Sequence, residues 1–116
     1  MNKIYAIIGE AGSGKDRLAS TLVEERPDLF HGLISYTTRP PREGEVNGKD
    51  YFFISLSEFQ NKVKNGDILE YTQFRGWWYG TATDQLVEDK INIGVFNPTG
   101  VYSLSLKEMD LRTYRL

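Results

Sequence analysis

The apolar run Ile4 to Ile8, rich in branched side chains and stopped by Gly9, predicts a strand of a parallel sheet covered on both faces. Leu18, Ala19, Leu22 and Val23 then recur at helical spacing and Pro27 closes the pattern, so a helix follows. Gly32 to Tyr36 predicts a second strand, whereas the polar stretch Thr37 to Lys49, with its prolines and glycines, keeps neither period and marks an excursion from the sheet. Asn47-Gly48 signals a tight turn before a short strand at Tyr51 to Ile54. Ser55 and Glu58 are spaced as a capping box, Phe59 and Val63 continue that helix's inner face, and Gly66 ends it. Ile68 to Phe74 and Trp77 to Tyr79 predict two strands around Arg75-Gly76. A helix over Ala82 to Lys90, a strand at Ile91 to Phe96, a short helix from Pro98 and a strand at Leu111 to Leu116 complete the chain.

Strands that alternate with helices at both ends of the chain predict an α/β class. The expected architecture is a parallel sheet with helices on both faces, carrying an inserted small mixed α/β lobe that is mostly antiparallel. One domain of 116 residues is expected, with its core in 1–36 and 82–116 and the lobe in 37–81. In such folds ligands bind beyond the carboxyl ends of the strands, where Gly9, Tyr36 and Asn97 fall.

Composition narrows the ligand. A net charge of -2 gives no basic field for nucleic acid, so phosphate recognition would have to come from local geometry. A small phosphorylated molecule suits that better than DNA or RNA. The absence of cysteine excludes disulfides and thiolate chemistry and fits a reducing compartment, so a cytoplasmic location is expected. The apolar start is shorter than the roughly 7–15 residues a secretion signal needs, and no run reaches the roughly 18 that span a bilayer.

The segment GEAGSGKD follows the first strand and opens the first helix, the context in which G-x-x-x-x-G-K binds nucleotide phosphates. Gly9, Glu10, Ala11, Gly12, Ser13 and Gly14 would turn successive backbone N–H groups inward, and Lys15 would reach the β- and γ-phosphates of ATP. This makes the sheet P-loop NTPase-like. The eighth position normally carries a hydroxyl, and here it is Asp16, followed by Arg17. A carboxylate is a hard oxygen ligand for Mg²⁺, and its repulsion of phosphate is offset by the metal or by Arg17. Asp16 is therefore the candidate metal ligand, with ATP and Mg²⁺ as the expected cofactors.

The runs SYTTRPPREGEVNGKDYFFI, ILEYTQF and GWWYGT, following that loop in order, resemble guanylate kinase. The resemblance implies that Arg39 and Arg42 grip a monophosphate with hydroxyls from Tyr51 and Tyr79, consistent with the fit of a guanidinium fork to phosphate oxygens. It implies that Glu70 accepts the guanine N1–H and 2-amino protons, and that Ser35 and Thr81 complete base recognition. Lys15, Arg39 and Arg42 become the catalytic charges, and the reaction becomes ATP + GMP to ADP + GDP, with dGMP as another acceptor. Trp77, Trp78, Phe52 and Phe53 are expected to pack the lobe.

Three departures accompany the resemblance. Asp16-Arg17 replaces a Ser/Thr pair, and Asn97 stands where the family carries an aspartate near GMP and magnesium. The chain also stops at Leu116, where family members continue into a lid with further arginines, so a truncated chain of low turnover is expected. The alternatives are a silent module that binds a phosphoprotein through Arg39, Arg42, Tyr51 and Tyr79, and a kinase of another phosphorylated acceptor. Retention of Gly9, Gly14 and Lys15 weighs against the first, and Glu70 against the second. The oligomeric state is left open.

Overall fold

A computed structural model describes residues 2–116. In chain order the elements are β1 (Lys3–Ile8), α1 (Lys15–Glu25), β2 (Phe30–Gly32), β3 (Tyr36–Thr37), β4 (Phe52–Phe53), α2 (Leu56–Lys64), β5 (Ile68–Phe74), β6 (Trp77–Ala82), a 3-10 turn (Thr83–Gln85), β7 (Ile91–Val95), α3 (Pro98–Ser105) and β8 (Asp110–Arg115). They fall into two compact units, Met1–Leu33 with Leu86–Leu116, and Ile34–Gln85.

The first unit is a four-stranded parallel sheet in the order β2-β7-β1-β8. The crossover from β1 through α1 to β2 passes β7, and that from β7 through α3 to β8 passes β1 in the opposite direction. Right-handed crossovers of opposite direction put their helices on opposite faces, so the sheet is covered on both sides. Tyr5 and Ile7 face α1, where Ile7 packs with Phe30 and Ile93 under Leu18, Ala19, Leu22 and Val23. Ile4, Ala6 and Ile8 alternate to the other face, which α3 covers with its fully buried Leu104. Asn92 is also fully buried, and its amide is satisfied: Nδ2 donates to the carbonyls of Lys3 and Val87, both at 3.0 Å, and Oδ1 accepts from Val87 N–H at 2.9 Å.

The second unit is a mixed sheet in the order β4-β3-β6-β5, with β3 and β4 parallel and the other pairs antiparallel. Arg75 and Gly76 both have positive φ, 53° and 83°, the conformation of a two-residue hairpin turn between β5 and β6. Ser55 and Glu58 form the expected capping box at the start of α2. That helix buries Phe59 against Tyr36 and Ala82, with Phe52, Ile54, Val63, Ile68 and Trp78 around them.

Two elements differ from expectation. The apolar run Gly32 to Tyr36 is no single strand: β2 ends at Gly32, and β3 starts at Tyr36 in the other sheet. The run reads as continuous because it serves two cores, Leu33 packing beside Gly94 and Tyr36 beside Phe59. The helix expected over Ala82 to Lys90 is only the 3-10 turn, with β6 extending to Ala82. Asp84 and Gln85 are drawn into tertiary bonds, accepting from the Tyr36 hydroxyl at 2.6 Å and from Ile34 N–H at 3.3 Å. The backbone N–H and carbonyl of Val87 are both taken by the Asn92 side chain, which competes with helical bonds at that position.

Phe59 is fully buried, and its ring contacts both Tyr71 and Trp78. Replacing it with alanine is expected to destabilise the second unit by about 3–5 kcal/mol, against about 1 kcal/mol for Ser55→Ala at the cap, as read by urea unfolding followed through tryptophan fluorescence.

Candidate functional site

Two groups of candidate residues emerge, one in each unit. In the first, β1 ends at Ile8 and the chain turns through Gly9 to Gly14 into α1. A Cβ at Gly9 would lie 2.6 Å from the Ser13 hydroxyl and 3.1 Å from the Leu116 carbonyl, so the loop can return over the strand end only with glycine there. Gly12 and Gly14 have φ of 80° and 89°, and Gly14 caps α1 without any side-chain bond. Leu18 N–H is the first to bond back, to the Gly14 carbonyl at 2.9 Å, and the N–H groups of Lys15, Asp16 and Arg17 before it receive no side-chain cap from Gly14. Ser13 N–H bonds to the Glu10 carbonyl at 3.1 Å, and Lys15 Nζ reaches the same carbonyl at 3.2 Å. Lys15 is thus folded over the loop by one exposed contact that an anion can displace. Asp16 and Arg17 are exposed in the first turn of α1.

Asn97 is also in this unit, after β7, which neighbours β1. Its Oδ1 accepts from Gly100 N–H at 2.7 Å as the cap of α3, so its acceptor is engaged by a structural bond.

In the second unit, the two-residue period of β6 sends Trp78, Gly80 and Ala82 toward α2 and Tyr79 and Thr81 to the opposite face. Register adds their cross-strand partners, Thr37 and Thr72 beside Tyr79 and Glu70 beside Thr81. Thr81 donates its hydroxyl proton to Glu70 Oε1 at 2.9 Å, and burial raises the Glu70 carboxyl above the ordinary carboxylate range, an effect this bond opposes. Thr81 is buried and Glu70 half-buried. The pair offers a partly desolvated carboxylate to a ligand with adjacent N–H donors. Ser35 is half-buried just before β3, its carbonyl accepting from Phe52 N–H at 2.9 Å.

Arg39, only 7% exposed, is the centre of the loop between β3 and β4. Its Nη1 and Nη2 hold the two oxygens of Glu45 at 2.8 and 3.0 Å, and Nη1 also donates to the Pro40 carbonyl at 3.1 Å. The ring of Tyr51 lies 5.3 Å from the guanidinium carbon and that of Phe53 5.9 Å, while Tyr51 meets Tyr79 edge-on at 5.8 Å. The Tyr79 phenol, after the Glu45 carboxylate, adds to the forces that hold Arg39 charged. Glu45 Oε1 accepts from Arg42 N–H at 2.7 Å, leaving the Arg42 side chain exposed. Two further side chains brace the loop: Asp50 accepts from Val46 N–H at 2.7 Å and Asn47 from Phe53 N–H at 2.9 Å.

The second unit thus collects Ser35, Arg39, Arg42, Tyr51, Glu70, Tyr79 and Thr81, and the first collects the glycine loop, Lys15, Asp16, Arg17 and Asn97. Glu45 was absent from the expected set, although a glutamate six residues after one arginine and three after another is a charge pattern worth reading. Phe52 and Trp78 pack around Phe59 and Phe53 packs against Tyr51 and Arg39, all within the lobe as expected, whereas Trp77 is exposed.

The guanylate kinase family model matches residues 1–93. Guanylate kinase of Protochlamydia amoebophila is 47% identical over 70% of this chain and 41% of its own length. That of Lactobacillus acidophilus is 44% identical over 97% of this chain and 62% of its own. A crystal structure of guanylate kinase from Anaplasma phagocytophilum has a similar fold, with a TM-score of 0.72 over 98% of this chain and 58% of that one, at 23% identity. The chain spans about half the length of the curated relatives it matches.

Glu45 lies next to the Arg39 guanidinium and the Arg42 N–H, and these hold its carboxyl down to about 2 from an ordinary 4.5. A depressed folded-state value means its stabilisation is complete above pH 4.5 and is lost as the pH falls toward 2. Glu70, raised by burial, has the opposite sign and loses its contribution as the pH rises past 4.5. Urea midpoints measured from pH 2 to 7 are expected to fall less on the acid side for Glu45→Gln than for the parent chain, both being compared at equal ionic strength.

Proposed function

The chain belongs to the guanylate kinase family, and from that premise we propose that it serves transfer of the ATP γ-phosphate to GMP or dGMP, giving ADP and GDP or dGDP. The observation that carries the proposal is the Glu70–Thr81 pair, placed by strand register on the same sheet face as Tyr79. A guanine base offers adjacent N1–H and 2-amino donors to such a carboxylate. Adenine has neither donor, and binding it would leave the half-buried Glu70 unpaired. Fully buried sites of this type reject the wrong analogue by about 10⁴–10⁵, an upper bound here. Ser35 is proposed to complete the base contacts, and Arg39, Arg42, Tyr51 and Tyr79 to hold the monophosphate.

The glycine loop is proposed to take the triphosphate. Around Gly12 and Gly14 an added Cβ would meet nothing within 4 Å, and the first amides of α1 are uncapped. Gly9 to Gly14 would line the phosphates with Lys15 and Arg17 as counter-charges, and Asn97 would stand at the adjacent strand end. Bound Mg²⁺ supplies charge neutralisation between the phosphates. Asp16 is its proposed protein ligand, and no cluster of three or more His, Cys, Asp or Glu among the described residues forms a metal cage of its own. The metal would therefore share its coordination with phosphate oxygens.

Transfer between phosphates needs positioning and charge neutralisation more than an acid–base pair, and Lys15, Arg39 and Arg42 are proposed to provide the charge. No helix of the described residues is long and apolar enough to cross a membrane. The cytoplasm, where both nucleotides occur, is the proposed compartment.

Calorimetry with GMP, dGMP and AMP, together with a coupled assay of ADP release, tests the reading. GMP and dGMP should bind and AMP should not, and Glu70→Gln should weaken GMP roughly 10- to 100-fold. Equal binding of AMP and GMP would remove the proposal. Asp16→Ser should keep ATP binding while making it depend less steeply on magnesium, and loss of ATP binding in that variant would overturn the account of the loop.

A further inference from the structure

A guanidinium has five N–H donors, and the bonds of Arg39 leave a specific pair unused. Nη1 gives its two hydrogens to Glu45 Oε1 and the Pro40 carbonyl, at 2.8 and 3.1 Å. Nη2 gives one to Glu45 Oε2 at 3.0 Å. The remaining Nη2 hydrogen and the Nε hydrogen point the same way along the side edge of the planar group, with the Tyr79 phenol the other side chain that acts on the guanidinium. Nε is buried and has no hydrogen-bond partner. A desolvated donor of this kind is costly to leave unmade, and since it is the one buried side-chain polar atom without a partner among the described residues, it marks a place for an acceptor.

We propose that Glu45 is a positioning residue for the monophosphate of the acceptor nucleotide: by occupying the Nη1–Nη2 edge of Arg39 it commits the Nε–Nη2 edge to two phosphate oxygens. This deepens the GMP reading and rests on it. The same Oε1 that receives Nη1 accepts Arg42 N–H at 2.7 Å, so one carboxylate sets both the rotation of Arg39 and the turn that carries Arg42. The rings of Tyr51 and Phe53, with centroids 5.3 and 5.9 Å from the guanidinium carbon, restrain the plane of the fork. Were phosphate instead to displace Glu45, Nε would remain unpaired and the carboxylate would keep only the Arg42 N–H, so the bonds favour sharing Arg39 over exchanging it. Arg42, exposed and on the same turn, supplies the second positive charge that a dianion requires.

The test is titration of GMP and of guanosine into the parent chain, Glu45→Ala and Glu45→Gln by calorimetry, with the arginine Nε–H signals followed by heteronuclear NMR. GMP, and not guanosine, should shift the Arg39 Nε–H resonance of the parent. Glu45→Ala should weaken GMP roughly 10- to 100-fold and leave guanosine unchanged, with Glu45→Gln between them because it keeps one acceptor. GMP binding to a folded Glu45→Ala chain as tightly as to the parent, or more tightly, overturns the proposal, as does an Arg39 Nε–H that does not respond to GMP. If circular dichroism shows Glu45→Ala unfolded, Glu45→Gln decides by the same comparison. Failure of the parent to bind GMP removes this proposal together with the function it rests on, whereas GMP binding with a silent Nε–H removes this proposal alone.

Discussion

A guanidinium taken out of water keeps its charge, so the chain around it must bring acceptors to it. Arg39 imposes that constraint on the second unit. The segment from Arg39 to Phe53 has almost no regular structure, yet it is fixed, because Glu45, Asn47 and Asp50 each hold a backbone N–H and Glu45 also holds the guanidinium. The polar residues of the run RPPREGEVNGKDYF are therefore architectural, whatever else they bind. A loop built on such bonds can be both irregular and preorganised, which is what recognition of a phosphate asks of it.

The parts of the fold legible in the sequence are those with short-range causes. A branched run ending in glycine gave β1, a capping box gave the start of α2, and Arg75-Gly76 between two aromatic-rich runs gave the β5–β6 hairpin. The errors came where distant residues decide. Nothing local to Thr83, Asp84 and Gln85 reveals that Tyr36 and Ile34 N–H capture the last two and stop a helix after one turn. Nothing in GLISY reveals that its apolar residues are divided between two sheets.

The candidate site divides in the same way. The glycine loop is a contiguous motif between a strand and a helix, and Gly12 and Gly14 take positive φ in it. The Glu70–Thr81 bond depends on the register of two strands, which the hairpin turn sets and the bulge between Ile68 and Glu70 adjusts. Asn97 carries a plain local signal, an asparagine before Pro98 at a helix start, and the structure gives its side chain that capping bond. Glu45 is not legible locally, because a loop glutamate is ordinarily solvated and only the burial of its partner Arg39 makes it consequential.

The bonds from Tyr36 to Asp84 and from Ile34 to Gln85 tie together the two places where the chain enters and leaves the second unit. An insertion closed at its own stem hands its host two neighbouring ends whatever its interior contains. A lobe of this kind can be lengthened or trimmed in its interior so long as the phenol, the carboxylate and the amide at the stem are kept.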